Sequence, residues 1–209
     1  MSEPRAPDPP APHAPTPDPP GDPLAGDPLA CDPVAALAPF ARRQEGIAWF
    51  AATGAPITSG ERDEAASYAA ALGFRDAAAV PVVAWRAAQG VARGAGFAAW
   101  WAAEEREGAA LLEAANARFG FAPLMTALTR VTSAASATVM EAATMALARR
   151  GISDPALARV AASAATQAAY QAALALATES GNHAFVIKFR LFAAGRWPLG
   201  IAESRLYLF

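Results

Sequence analysis

Residues 123–182 read PLMTALTRVTSAASATVMEAATMALARRGISDPALARVAASAATQAAYQAALALATESGN, and their punctuation decides the fold. Pro123 suits a first helical turn, where a missing amide costs nothing, and no breaker follows until Gly151. Ser153-Asp154-Pro155 then sets an acceptor cap ahead of a proline at the first helical position, which starts a second helix. That run reaches about Glu179, before Ser180-Gly181-Asn182. Two long helices, about 28 and 25 residues by these signals, form the scaffold. Leu124, Leu128, Val131, Ala135, Ala142 and Met145 recur at three-four spacing, as do Leu157, Val160, Ala164, Gln171 and Leu174. The second stripe is mostly small, which suits close helix–helix approach.

The same signals extend outward. Pro39 opens a helix to about Thr53, with Gly54 as its left-handed terminus. Thr58-Ser-Gly-Glu61 matches a capping box, and the helix behind it ends at Gly73. Val80-Pro81 opens a short segment that stops at Gly90, and Gly94 and Gly96 precede a helix from about Phe97 to Arg118. Asn182 caps a last helix, Ala184 to Ala194, whose Phe185, Phe189 and Phe192 share one face. Beyond Gly195, residues 196–209 carry aromatic and branched residues on two arms about Ala202-Glu203-Ser204, the pattern of a short hairpin. Pro198 confines its arm to an edge. The fold expected is therefore all-α, a multi-helix bundle of about seven helical segments with a short C-terminal β-hairpin.

Twelve of the 18 prolines lie within the first 33 residues. Proline fixes φ and removes amide donors, so residues 1–33 are expected to be a disordered tail ahead of a single domain at 34–209. Gly21–Ala25 and Gly26–Ala30 both read GDPLA, and Cys31–Ala35 reads CDPVA. This xDP[LV]A repeat is a candidate multivalent docking motif, or a slipped-codon expansion in a solvated spacer.

Composition narrows function. The chain has 60 alanines, which favour helix and add little apolar area. Lys188 is the single lysine against 16 arginines, a balance that reads as coding bias. A net charge of −2 provides no field for nucleic acid. The only cysteine, Cys31, excludes an internal disulfide, and the start lacks a signal-peptide pattern. The most apolar stretches are interrupted by Arg130, Glu141 and Arg159, so no membrane span is expected and a cytoplasmic location is.

Chemistry is thinly supplied. His13 and His183 are the only histidines, too few for a paired-histidine zinc site or a di-iron carboxylate bundle, and an all-carboxylate magnesium site has no recognisable spacing, so no metal is assigned. Gly94–Ala99 matches G-x-G-x-x-A without the strand that pattern needs, and no P-loop or nucleophile elbow is present. No cofactor and no catalytic residue is assigned. Glu104 and Glu107 share a helical face beside Arg106 and read as solvated, whereas Glu141 interrupts an apolar helix and, if buried, needs a cationic partner. The densest polar and aromatic group is C-terminal: Asn182, His183, Lys188, Arg196 and Trp197, with Lys188 spaced between Phe185 and Phe192 so that its ammonium can reach an anion. Trp100 and Trp101 point about 100° apart on a helix, so both need not enter one core.

Two functions fit. The first is a non-catalytic protein-binding or assembly module, of adaptor or immunity type, using a helical surface and the N-terminal repeat. The second is a small-molecule-binding helical protein or enzyme with a pocket near His183, Glu141 and Lys188.

Overall fold

A computed structural model describes residues 32–92 and 96–209, so the tail's expected disorder, the first two GDPLA repeats, Cys31, His13 and the Gly94-Ala95 part of the glycine pattern lie outside the described residues. The order is α1 (Pro33–Arg43), a 3-10 turn (Gln44–Gly46), α2 (Ser59–Ala71), β1 (Ala78–Pro81), α3 (Trp85–Ala92), α4 (Ala98–Phe119), α5 (Phe121–Ala148), α6 (Pro155–Ala177), α7 (Ala184–Ala193), β2 (Pro198–Ala202) and β3 (Arg205–Leu208).

Caps explain most boundaries. Asp154 accepts from the amides of Ala156 (3.0 Å) and Leu157 (2.9 Å) at the start of α6. The capping box ahead of α2 is complete, with Glu61 N donating to Thr58 Oγ1 at 3.2 Å and Thr58 N to Glu61 Oε2 at 2.8 Å. The first helix differs from expectation. Asp32 caps it through Val34 N (2.9 Å), Pro33 occupies its first turn, and Pro39 lies inside it. The third repeat thus contains the same Asp-Pro start signal as Asp154-Pro155. His183, rather than Asn182, caps α7.

α5 and α6 pack on each other, and α6 also meets α1, α4 and α7. Its buried positions are mostly alanine, including Ala161, Ala165, Ala168, Ala169, Ala172 and Ala173. Small side chains on nearly every side let four neighbours approach one helix. Two stripe positions therefore differ from expectation. Met145 is 51% exposed because the buried face of α5 continues through Val139, Ala143 and Ala146. Val160 is 48% exposed because alanines, not the branched residue, mark the buried face of α6.

The fold is mostly helical with seven helices among the described residues, as expected, and the hairpin is part of a small sheet of three strands. β3 is central, antiparallel to β2 and parallel to β1, with Ala79 opposite Leu206 and Val80 opposite Tyr207. β1 occupies sequence expected to begin a helical segment. Its partner strand is remote in the chain, so no local pattern announces the pairing. Glu203 and Ser204 turn the hairpin with φ of 49° and 56°, the left-handed pair that a two-residue turn needs. Pro198 opens edge strand β2. Phe50, Trp85, Phe192, Trp197 and Phe209 form an aromatic core where α7 meets the sheet, with Trp85 and Phe209 rings 4.9 Å apart.

Candidate functional site

A buried polar cluster joins α2, α4, α6 and α7. Lys188 Nζ donates to Glu104 Oε1 (2.6 Å), Glu104 Oε2 (2.8 Å) and Gln171 Oε1 (3.2 Å). Tyr68 donates its hydroxyl to Glu104 Oε1 at 2.6 Å and accepts from Trp100 Nε1 at 2.7 Å. All three ammonium hydrogens and both carboxylate oxygens are engaged, so the network is closed and carries no net charge. Lys188 is 5% exposed, Glu104 3% and Tyr68 fully buried. The ammonium also lies 5.3 Å from the Trp100 ring centroid, within cation–π range.

Burial sets the electrostatics. Desolvation pushes the Lys188 amine below the usual lysine range, and the Glu104 charge offsets part of that effect. Desolvation first, and then the Glu104 charge, hold the Tyr68 phenol well above its usual range. The phenol is therefore kept as a hydrogen-bond donor to the carboxylate.

The cluster is set between two cavities. One, of about 640 Å³, has Trp100, Lys188, Phe192 and Trp197 in its wall, and the exposed Trp101 and Val160 at its rim. The other, of about 360 Å³, includes Glu104 and Gln171, and shares Trp101 and Gln167 with the first. A third cavity, about 570 Å³ beside the α5–α6 turn, is lined by Met140, Leu147, Ile152 and Pro155 and holds no buried ion pair. Strand β2 holds the first cavity's aromatic wall in place. At Gly200 (φ 140°) a Cβ would fall 2.7 Å from the Phe97 ring and 3.0 Å from Trp100, so only glycine lets the strand approach α4 this closely.

The six residues expected at a site are only partly brought together. Lys188 and Trp197 share the 640 Å³ cavity. Arg196 is buried and donates to Glu61 and to three backbone carbonyls. His183 Nδ1 accepts from Phe185 N (3.2 Å), and its Nε2 lies 3.3 Å from Glu107 Oε2. Asn182 is exposed. Glu141 is exposed on α5 and forms no ion pair among the described residues, so it needs no buried cation.

Sequence reasoning misses Glu104, Tyr68, Gln171 and Trp100 as a unit. It groups Glu104 with Glu107 as solvated, yet Glu104 lies one helical turn beyond Trp100, in phase with the buried Ala103 and Leu111. That phase is a usable signal. Gln171 stands openly in the expected apolar stripe, where a polar residue needs a partner.

Among the described residues, no helix is long and apolar enough to cross a membrane. The chain matches no protein family, no curated protein and no solved structure.

Proposed function

We propose that this chain is a cytoplasmic, small-molecule-binding helical protein whose ligand occupies the tryptophan-lined cavity beside Lys188. The observation that carries this reading is the cavity of about 640 Å³ walled by Trp100, Trp101, Phe192 and Trp197, with Lys188, the buried partner of Glu104, among its lining residues. A buried pair is weak support for stability, because apolar residues of similar size often serve as well. A largely apolar, aromatic-walled pocket, by contrast, suits a small ligand, and ligand pockets run to about 300–1,000 Å³. The exposed Trp101 and Val160 continue the apolar wall to the surface and provide an entry.

The test is a titration with neutral 2-naphthalenemethanol, followed by tryptophan fluorescence. Ala164 lines the cavity and is half-buried, so Ala164→Phe places a ring in it, and its melting temperature is checked against the parent's. Saturable quenching that disappears in Ala164→Phe supports the reading. Quenching that never saturates, or that the filled variant retains, removes it.

A second reading, a protein-binding surface, is favoured by Trp101 alone at 54% exposure, since tryptophan is enriched at binding hot spots. Trp101→Arg would then abolish capture of a protein partner, with urea unfolding run alongside because the change also removes the Trp100–Trp101 ring contact at 4.5 Å.

A further inference from the structure

The chain carries 16 arginines and one lysine, and that lysine is the buried cation of the cluster, Lys188. A coding bias toward arginine accounts for the sixteen but not for where the exception falls. A guanidinium stays charged inside proteins and cannot act as a nucleophile, whereas a primary amine can lose its proton and attack a carbonyl.

We propose that Lys188 forms an imine with a neutral, apolar aldehyde that enters the tryptophan-lined cavity, with Glu104 as the proton acceptor. This rests on the small-molecule reading of the same cavity. The wall selects the ligand class. The ion pair is already neutral, so a charged ligand would lose its hydration without gaining a free counter-charge. Trp100, Trp101, Phe192 and Trp197 offer apolar and aromatic surface instead.

The step balances without an oxidant or further co-reactant. Glu104 takes one ammonium proton across the 2.6 Å hydrogen bond, and rotation about the Cε–Nζ bond turns the freed lone pair from Glu104 toward the cavity. Nitrogen attacks the carbonyl carbon, and the second ammonium hydrogen moves to the carbonyl oxygen. Glu104 returns its proton to that oxygen, the carbon–oxygen bond breaks, and one water leaves. The product is a protonated imine that keeps one N–H and the Glu104 carboxylate as its counter-ion, and Tyr68 still donates to that carboxylate. Burial favours the uncharged amine that the attack requires.

The single lysine makes the test direct, because the N-terminal amine is the only other primary amine in the chain. The full chain is incubated with 2-naphthaldehyde and sodium cyanoborohydride, and the adduct is located by peptide mass mapping. Binding of 2-naphthalenemethanol is followed in parallel. The expected result is one adduct at Lys188, formed at least about tenfold faster than on free Nα-acetyl-lysine, or about 1.4 kcal/mol of barrier. Excess alcohol and Ala164→Phe should both suppress it. If the alcohol binds but Lys188 stays unmodified, or reacts no faster than the free amino acid, the imine is overturned and the binding reading stands. If neither compound binds, both fall.

Discussion

Arg196 and Glu61 meet as a two-point ion pair, Nε to Oε1 at 2.7 Å and Nη2 to Oε2 at 2.9 Å. The remaining guanidinium hydrogens reach the carbonyls of Ala52 (2.6 Å), Ala55 (2.8 Å) and Pro56 (2.6 Å), so all five donors are used. Glu61 also closes the capping box of α2. The pair therefore ties the end of α7 to the loop and cap that begin α2. Gly195 makes the approach possible, since a Cβ there would fall 2.7 Å from Ala52 N.

Replacing Arg196 by methionine should accordingly destabilise the fold without touching the cavity. Arg196 is 2% exposed, so its loss removes the donors to the Ala55 and Pro56 carbonyls and leaves Glu61 with Thr58 alone, while Ala52 O still accepts from Ala55 N. Breaking one side of a fully buried pair costs about 3–5 kcal/mol, but Glu61 is only partly buried, so a loss of about 1–3 kcal/mol is expected. Urea unfolding at pH 7 should show a loss of that order, and a change under about 1 kcal/mol would mean that the loop finds other donors.

The same pair gives the fold an acid-sensitive component. The Arg196 hydrogen bond is the main cause that lowers Glu61 from 4.5 to about 2, and burial opposes it. The folded state thus binds fewer protons than the unfolded chain between those values. The contribution is complete above about pH 4.5 and fades as pH falls toward 2. In Glu61→Gln, stability plotted against pH should be flatter over that window, while the parent curve should fall.

Much of the helical layout is legible in the sequence because caps and breakers are local. Thr58–Glu61 and Asp154-Pro155 work through hydrogen bonds spanning two or three residues. What escapes is tertiary. β1 takes its structure from β3, and nothing near Ala78–Pro81 encodes that partner. At the candidate site Lys188 is legible as a cation spaced between phenylalanines, but its anion is not. Glu104 stands next to Glu105 and shortly before Glu107, and only the phase of α4 separates the buried carboxylate from its neighbours.

Gly200→Ala should disturb the cavity from outside the chemistry. The residue sits at φ 140°, and its new Cβ would press on Phe97 and Trp100. Left-handed strain and overpacking each cost about 1–3 kcal/mol. A lower melting temperature with a red-shifted tryptophan emission is expected, because Trp100 would be displaced from the Tyr68 hydroxyl. An unchanged emission maximum would show that the strand moves instead of the rings.

His183 tests cap against ligand group. Its Nδ1 accepts from Phe185 N at 3.2 Å, so an asparagine in its place can supply an equivalent oxygen and an alanine cannot. His183→Ala should cost about 1 kcal/mol and His183→Asn much less. Neither should change the affinity for 2-naphthalenemethanol, since His183 lies outside the walls of both cavities beside Lys188. A lost affinity in His183→Asn, with stability retained, would return the residue to the site.

The Lys188–Glu104 pair should be strongly non-additive. Lys188→Met leaves a buried carboxylate with only the Tyr68 hydroxyl as donor, and Glu104→Gln leaves a buried ammonium facing two amide oxygens. Each single change should cost about 3–5 kcal/mol, the penalty of an uncompensated buried charge. In the double variant no charge remains, and the new side-chain amide oxygen on α4 can still accept from Tyr68. Its destabilisation should fall short of the summed single effects by about 1–3 kcal/mol in a urea-unfolding cycle. Additive costs would instead mean that water or a shifted side chain compensates each lone charge, and the closed network would then not be what holds α4 to α7.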